Sequence, residues 1–283
     1  LLRRQQRTFT ERIEQLRGWQ RTAGKWTLRV VVLVLILVAL DVAILAYPNL
    51  LFAHKSRFHE FTVYSNEPLP SQFDRVIDDV RKRIQSMEKA RPGAPCDIYL
   101  CDTEKLYSFF TRLTRMPSDS MAFCLSAFGN IYMNETKIRR IAEHNTGGIR
   151  HCRYQGDYAE LIAHEIAHFN VVKSLGFRRT VGMPLWKNEG YAEYQANIAA
   201  TRADSSYAFS DRVDLFLNVA FWGGEDSIAR RLYKWHILVE FLAEEKGYGL
   251  EELIDESVTE SSTLNEMLAW YERRGAQRDP ALD

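Results

Sequence analysis

His164, Glu165 and His168 are the residues of this 283-residue chain whose types and spacing point most directly to chemistry. They lie in the run Leu161-Ile-Ala-His164-Glu165-Ile166-Ala167-His168-Phe-Asn, and no glycine or proline interrupts Tyr158 to Ser174. A stretch of this composition reads as a helix, which sets His164 and His168 one turn apart on one face. Two neutral imidazoles so placed can share one divalent ion, while Glu165, about 100° round the helix, can address a water held there. The arrangement suits hydrolysis: the nitrogens fix the metal and the adjacent carboxylate accepts the water's proton.

A second segment completes the pattern. Pro184-Leu-Trp186-Lys-Asn188-Glu189-Gly190-Tyr191-Ala192-Glu193-Tyr194 opens another helix after a loop. The intervening chain is long enough for the first helix to end near Gly176 and for the second to return antiparallel. With these two motifs the sequence resembles the gluzincin metallopeptidases, the group that includes thermolysin-like enzymes and the aminopeptidases with an N-E-G motif. The resemblance spans roughly residues 120 to 245 and is tight only at the motifs. It implies one zinc ion, held by His164, His168 and Glu189, with Glu165 as general base and a peptide or protein as substrate. It also implies that Glu193, one turn beyond Glu189, accepts a hydrogen bond from a ligand histidine and so fixes its tautomer. The helix around Arg231 to Leu242 resembles the Y-x-K-G helix of the aminopeptidases, with Trp235 where those carry glycine. By that resemblance Tyr233, and after it His236, would steady the tetrahedral oxyanion. Substrate backbone in such enzymes pairs with an edge strand, for which Asn130–Asn134 is the candidate. No G-x-M-E-N exopeptidase signature occurs, so aminopeptidase activity is not implied.

These side chains need a scaffold, and the sequence reads as an α+β one. Phe61–Ser65 alternates like a strand. Pro70 and Ser71 open a helix with apolar Phe73, Val76, Ile77, Val80 and Ile84, ended by Arg91-Pro92-Gly93. Cys96–Cys101 reads as a strand, and Thr103 caps a helix that runs through Leu113. Met121–Phe128 and Asn130–Met133 flank Gly129 as a hairpin. From Asp157 to about Arg273 the pattern is almost wholly helical. The expectation is therefore a zincin-like domain over residues 54–283, with a small sheet followed by a mostly helical half and residues 54–60 as a linker.

Ahead of that domain, Val30–Leu40 is unbroken apolar sequence that resumes after Asp41 as far as Tyr47. At helical rise it spans roughly 27 Å, close to the hydrocarbon thickness of a bilayer. Trp26 and Tyr47 flank it as interfacial aromatics do. Asp41 is a costly residue at such a place, about 2.5–3.5 kcal/mol on insertion scales. Eight basic residues against Glu11 and Glu14 precede the run. Almost thirty residues stand ahead of it and no small-x-small cleavage site follows, which favours an anchor over a cleaved signal peptide. The expected organisation is a basic cytoplasmic segment over 1–28, a transmembrane anchor over 29–53 and an extracytoplasmic domain thereafter, oriented by the positive-inside rule.

Basic and acidic residues balance at 37 each, so no overall field favours nucleic acid. Cys96, Cys101, Cys124 and Cys152 are even in number and would lie outside the membrane, where disulfides persist. Three pairings are open, with buried free thiols as the alternative. His54, His59, His144 and His151 lack ligand-like neighbours and read as surface residues. Two other functions fit the same motifs: an inactive binding module that keeps the fold, and a non-peptidase zinc hydrolase. An intramembrane protease does not fit, because Asp157, Glu160, Lys173 and Arg178-Arg179 make the motif segment too polar to span.

Overall fold

A computed structural model describes residues 25–88, 96–144, 157–203 and 208–278. The chain divides into two units, Leu1–Leu51 and Phe52–Asp283. In the first, helix α1 (Lys25–Ala46) has 22 residues and a mean hydropathy of 2.9, long and apolar enough to cross a membrane. Its side chains, Asp41 among them, are almost all exposed, and one turn of 3-10 helix, Pro48–Leu51, follows.

The second unit is a mixed α/β domain. Its first half carries strands β1 (His54–Phe58) and β2 (Phe61–Ser65), helix α2 (Phe73–Gln85), strand β3 (Cys96–Cys101) and helix α3 (Glu104–Thr114). Strands β4 (Ala122–Leu125) and β5 (Asn130–Asn134) and helix α4 (Glu135–His144) complete it. The five strands form one sheet in the order β1-β2-β3-β5-β4. β2, β3 and β5 run parallel, joined through α2 and α3, while β1 and β4 lie antiparallel on the two edges. The expected separation of strands from helices therefore holds between the halves of the domain and not within the first half.

Period-2 alternation gives the sheet two different faces. Val63, Ile98, Ile131 and Met133 point to one side, into a core shared with Ile77 and Val80 of α2. Tyr64, Tyr99, Tyr132 and Phe123 stack across the other, with successive ring centroids 4.8, 5.2 and 4.9 Å apart. Each ring comes from the neighbouring strand, so the stack ties β2, β3, β5 and β4 together in that order. The two edges explain two departures from expectation. Residues 54–58 are a strand and not a linker; as an outer strand of polar composition, His-Lys-Ser-Arg-Phe, they carry no apolar alternation to reveal it. Asn130–Asn134 is interior, flanked on both sides, so the edge strand is β4 and not β5.

The helical half contains α5 (Tyr158–Leu175), α6 (Phe177–Gly182), α7 (Leu185–Ala203), α8 (Phe209–Leu217) and α9 (Ile228–Glu240). A π-helical turn, Phe241–Glu245, then α10 (Leu250–Leu253) and α11 (Glu260–Arg278) complete it. Helix α5 is apolar nearly all round because it is wrapped by neighbours. Ile162, Ala163 and Ile166 join the core under the sheet, and Val171 and Leu175 join a second core built by α7, α8, α9 and α11. It starts on Asp157, whose carboxylate accepts from the Ala159 amide at 2.9 Å, and ends at Gly176 with φ +78°.

Of the two readings open for the cysteines, the described ones follow the free-thiol alternative. Cys96, Cys101 and Cys124 are free thiols, and Cys152 lies outside the described residues. Cys96 and Cys101 are an odd number of residues apart on β3 and so face opposite sides of the sheet, where they cannot meet. His54 and His59 are exposed, His59 beside Asp78 at 3.5 Å. The side chains of His144 and His151 fall outside the described residues.

Candidate metal centre

Three nitrogen and oxygen ligands converge between α5 and α7. His164 Nε2 and His168 Nε2 stand 3.0 Å apart. Glu189, near the N-terminal end of α7, places Oε2 at 3.4 Å from the one and Oε1 at 3.6 Å from the other. In a tetrahedral zinc site with bonds of about 2.0–2.2 Å, ligand atoms stand about 3.3–3.6 Å from one another. The two nitrogen–oxygen edges fall in that range, and the nitrogen–nitrogen edge is about 0.3 Å shorter, so a small outward shift of the rings would admit one such ion.

The outer nitrogens of both rings are also engaged. His164 Nδ1 lies 3.0 Å from Glu193 Oε2, and His168 Nδ1 lies 3.2 Å from Asn188 Oδ1. Both partners are acceptors, so each Nδ1 carries the proton and each Nε2 presents a lone pair. Two Nε2 atoms 3.0 Å apart with a carboxylate beside them make a site for positive charge, whether a proton or a metal ion. The electrostatics agree. Burial alone would lower the His164 pKa, but Glu189 and Glu193 outweigh it and raise it well above the usual range. Burial likewise raises Glu189, but its contacts with the two imidazoles bring it far below the ordinary carboxylate range. The donor set, two nitrogens and one carboxylate, is one that could hold a divalent metal ion and leaves the ion's identity open.

Asn188 is the functional residue that reading the sequence left without a role. Its position beside Glu189 in the same turn of α7 was the available signal. Gly190, next along, is required by close packing. A Cβ there would lie 2.4 Å from the Trp235 carbonyl oxygen and 2.9 Å from Val239 Cγ2, so α7 and α9 meet backbone to backbone at this point. That contact fixes the turn carrying Asn188 and Glu189.

Glu165 is buried and faces the opposite wall, formed by β4. Burial raises its carboxyl above the usual range, against the pull of His168 and His164, and the Cys124 backbone N–H donates to it. That bond also sets the polarity of the edge. Met121 and Phe123 turn their backbone groups toward β5, with the Asn134 amide donating to Met121 O at 2.8 Å. Ala122 and Cys124 therefore direct theirs outward beside Glu165. A cavity of about 720 Å³ opens here. The ligand residues and Glu165 line it together with apolar Met116, Met121, Leu161, Val172, Ile228 and Leu232.

Tyr233 and His236 do not line this cavity. On α9 it is Ile228, Ala229 and Leu232 that do, and the face with Tyr233 and His236 is buried among helices. The Tyr233 hydroxyl donates to Arg212 O at 3.3 Å, and its ring packs on Trp222. His236 Nε2 lies 3.5 Å from Glu240, which is wholly buried and paired with Arg212. Compared with protein-family models and with curated protein sequences, the chain matches none.

Proposed function

We propose that this chain is a membrane-anchored metallopeptidase of gluzincin type, using one zinc ion on His164, His168 and Glu189. The observation that carries the reading is the meeting of that ligand set with a buried carboxylate, Glu165, against the outward backbone of an edge strand. An extended peptide laid along β4 would pair with the Ala122 backbone and the Cys124 carbonyl, the Cys124 N–H being held by Glu165. Its apolar side chains would enter the cavity beside Met121, Leu161 and Leu232. When bound, the ion would polarise the scissile carbonyl and lower the pKa of a water. Glu165 takes the proton from that water and delivers it to the departing amine. Glu193 and Asn188 hold the two imidazoles so that their Nε2 lone pairs stay aimed inward. With α1 as the anchor and the basic segment ahead of it in the cytoplasm, the domain works outside the membrane.

The test is hydrolysis of unstructured apolar peptides by the full chain in detergent. Cleavage should stop with a chelator, return with zinc, and fall about 100- to 10,000-fold in Glu165→Gln. Cleavage that persists undiminished in Glu165→Gln would defeat the reading. Metal binding with no cleavage of peptide libraries would support a binding module instead.

A further inference from the structure

Beside His164, on the side of its Nδ1, two carboxyl groups sit together on the wall of the same cavity. Glu193 on α7 and Glu160 on α5, one helical turn before His164, are each about 5% exposed. They lie within hydrogen-bonding reach of each other. The Asn197 amide nitrogen bridges them, donating to Glu160 Oε1 at 3.0 Å and to Glu193 Oε1 at 3.1 Å. Glu193 Oε2 accepts from His164. Three of the four carboxyl oxygens therefore have donors, and the fourth, Glu160 Oε2, has none.

A buried carboxylate oxygen with no donor is costly, and two ionised carboxylates in contact repel. A nearby guanidinium offsets this only in part. Arg83 of α2 is engaged by Asp79 at 3.0 Å, by Asp157 at 3.5 Å and by the Ala196 carbonyl at 2.8 Å. Glu193 is faced by the His164 imidazole and, from α9, by that of His236, which is also in contact with Glu240. One added proton resolves both difficulties: placed on Glu160 Oε2 and donated to Glu193, it supplies the missing partner and removes a charge.

Resting on the metal-centre reading, we propose that Glu160 is a positioning residue that acts as a neutral acid: it donates its proton to Glu193 and holds that carboxylate against His164 Nδ1. The electrostatics divide the pair in this sense. Burial first, and Glu193 second, push Glu160 well above the usual carboxylate range. Glu193 Oε2 already accepts from His164 and its Oε1 from Asn197, while Glu160 Oε2 is the oxygen without a donor, so the geometry assigns the proton to Glu160. The tautomer of His164, and so the direction of its metal-binding lone pair, is then fixed by a chain of four side chains: Asn197, Glu160, Glu193 and His164.

Two variants of the full chain test this, compared with wild type at neutral pH. Glutamine at Glu160→Gln keeps an acceptor toward Asn197 and puts an N–H where the acid proton would be, whereas Glu160→Met fills the space and donates nothing. The infrared spectrum of wild type should show the carbonyl band of a protonated carboxylic acid that Glu160→Gln lacks. In chelator competition with zinc, Glu160→Gln should bind within a few-fold of wild type, and Glu160→Met about 10- to 100-fold more weakly. Absence of the infrared band overturns the proposal, as does zinc affinity in Glu160→Met equal to wild type, or a loss in Glu160→Gln as large as in Glu160→Met. If Glu160→Met does not fold, the band and the glutamine variant decide. If wild type binds no zinc the metal-centre reading fails, while the band still decides the state of Glu160.

Discussion

Each histidine of the cluster has an acceptor on α7 at its Nδ1: Glu193 for His164 and Asn188 for His168. The two acceptors differ in charge, so their removal should differ in effect. Glu193→Ala should weaken zinc binding about 10- to 100-fold, with a smaller loss in Asn188→Ala, both measured by chelator competition. Equal affinity of Glu193→Ala and wild type would show that this contact does not set the site. At this scale the ligands were legible because helical periodicity alone sets His164 beside His168, and the Asn188-Glu189-Gly190 motif supplied the third. Tyr233 and His236 were not legible. Their roles depend on which face of α9 turns to the cavity, and that is decided by Trp222, Arg212 and Glu240, residues distant in sequence or one helical turn away.

At the scale of elements, the ligand geometry depends on how closely α7 approaches α9. Gly190→Ala places a methyl group against the Trp235 carbonyl and should cost about 1–3 kcal/mol of stability in denaturant unfolding, with weaker metal binding as α7 shifts. Unchanged stability and affinity would mean that the helices separate freely there. The sheet makes a different prediction. Burial, then the nearby Asp97, pushes the Cys96 thiol up to about 12. At pH 8 only about one thiol in ten thousand is then ionised, so native Cys96 should resist alkylation that is rapid after unfolding, as read by mass spectrometry. Rapid native labelling would contradict the burial. The interior strands and the hairpin were legible from alternation and Gly129. The edge positions were not, since β1 is polar and strand order is a tertiary property, set here by parallel crossovers and the stacked aromatic face.

At the scale of the whole molecule, α1 and the metal-bearing domain make separate claims. The helix was legible from its unbroken apolar run. As an anchor it should keep the chain with membranes through an alkaline wash and release it only in detergent, and a reporter fused after residue 283 should be active outside the cytoplasm. Release by the wash, or a reporter active inside, would reverse the topology. The account as a whole rests on one ion bound by two helices. The most direct measurement is the metal content of the full chain purified in detergent and equilibrated with zinc, beside Glu189→Ala and His168→Ala. The expected result is one equivalent of zinc in wild type and a large loss in both variants, with folding retained. Wild type without zinc, or variants that hold it as well as wild type does, would contradict the metal centre.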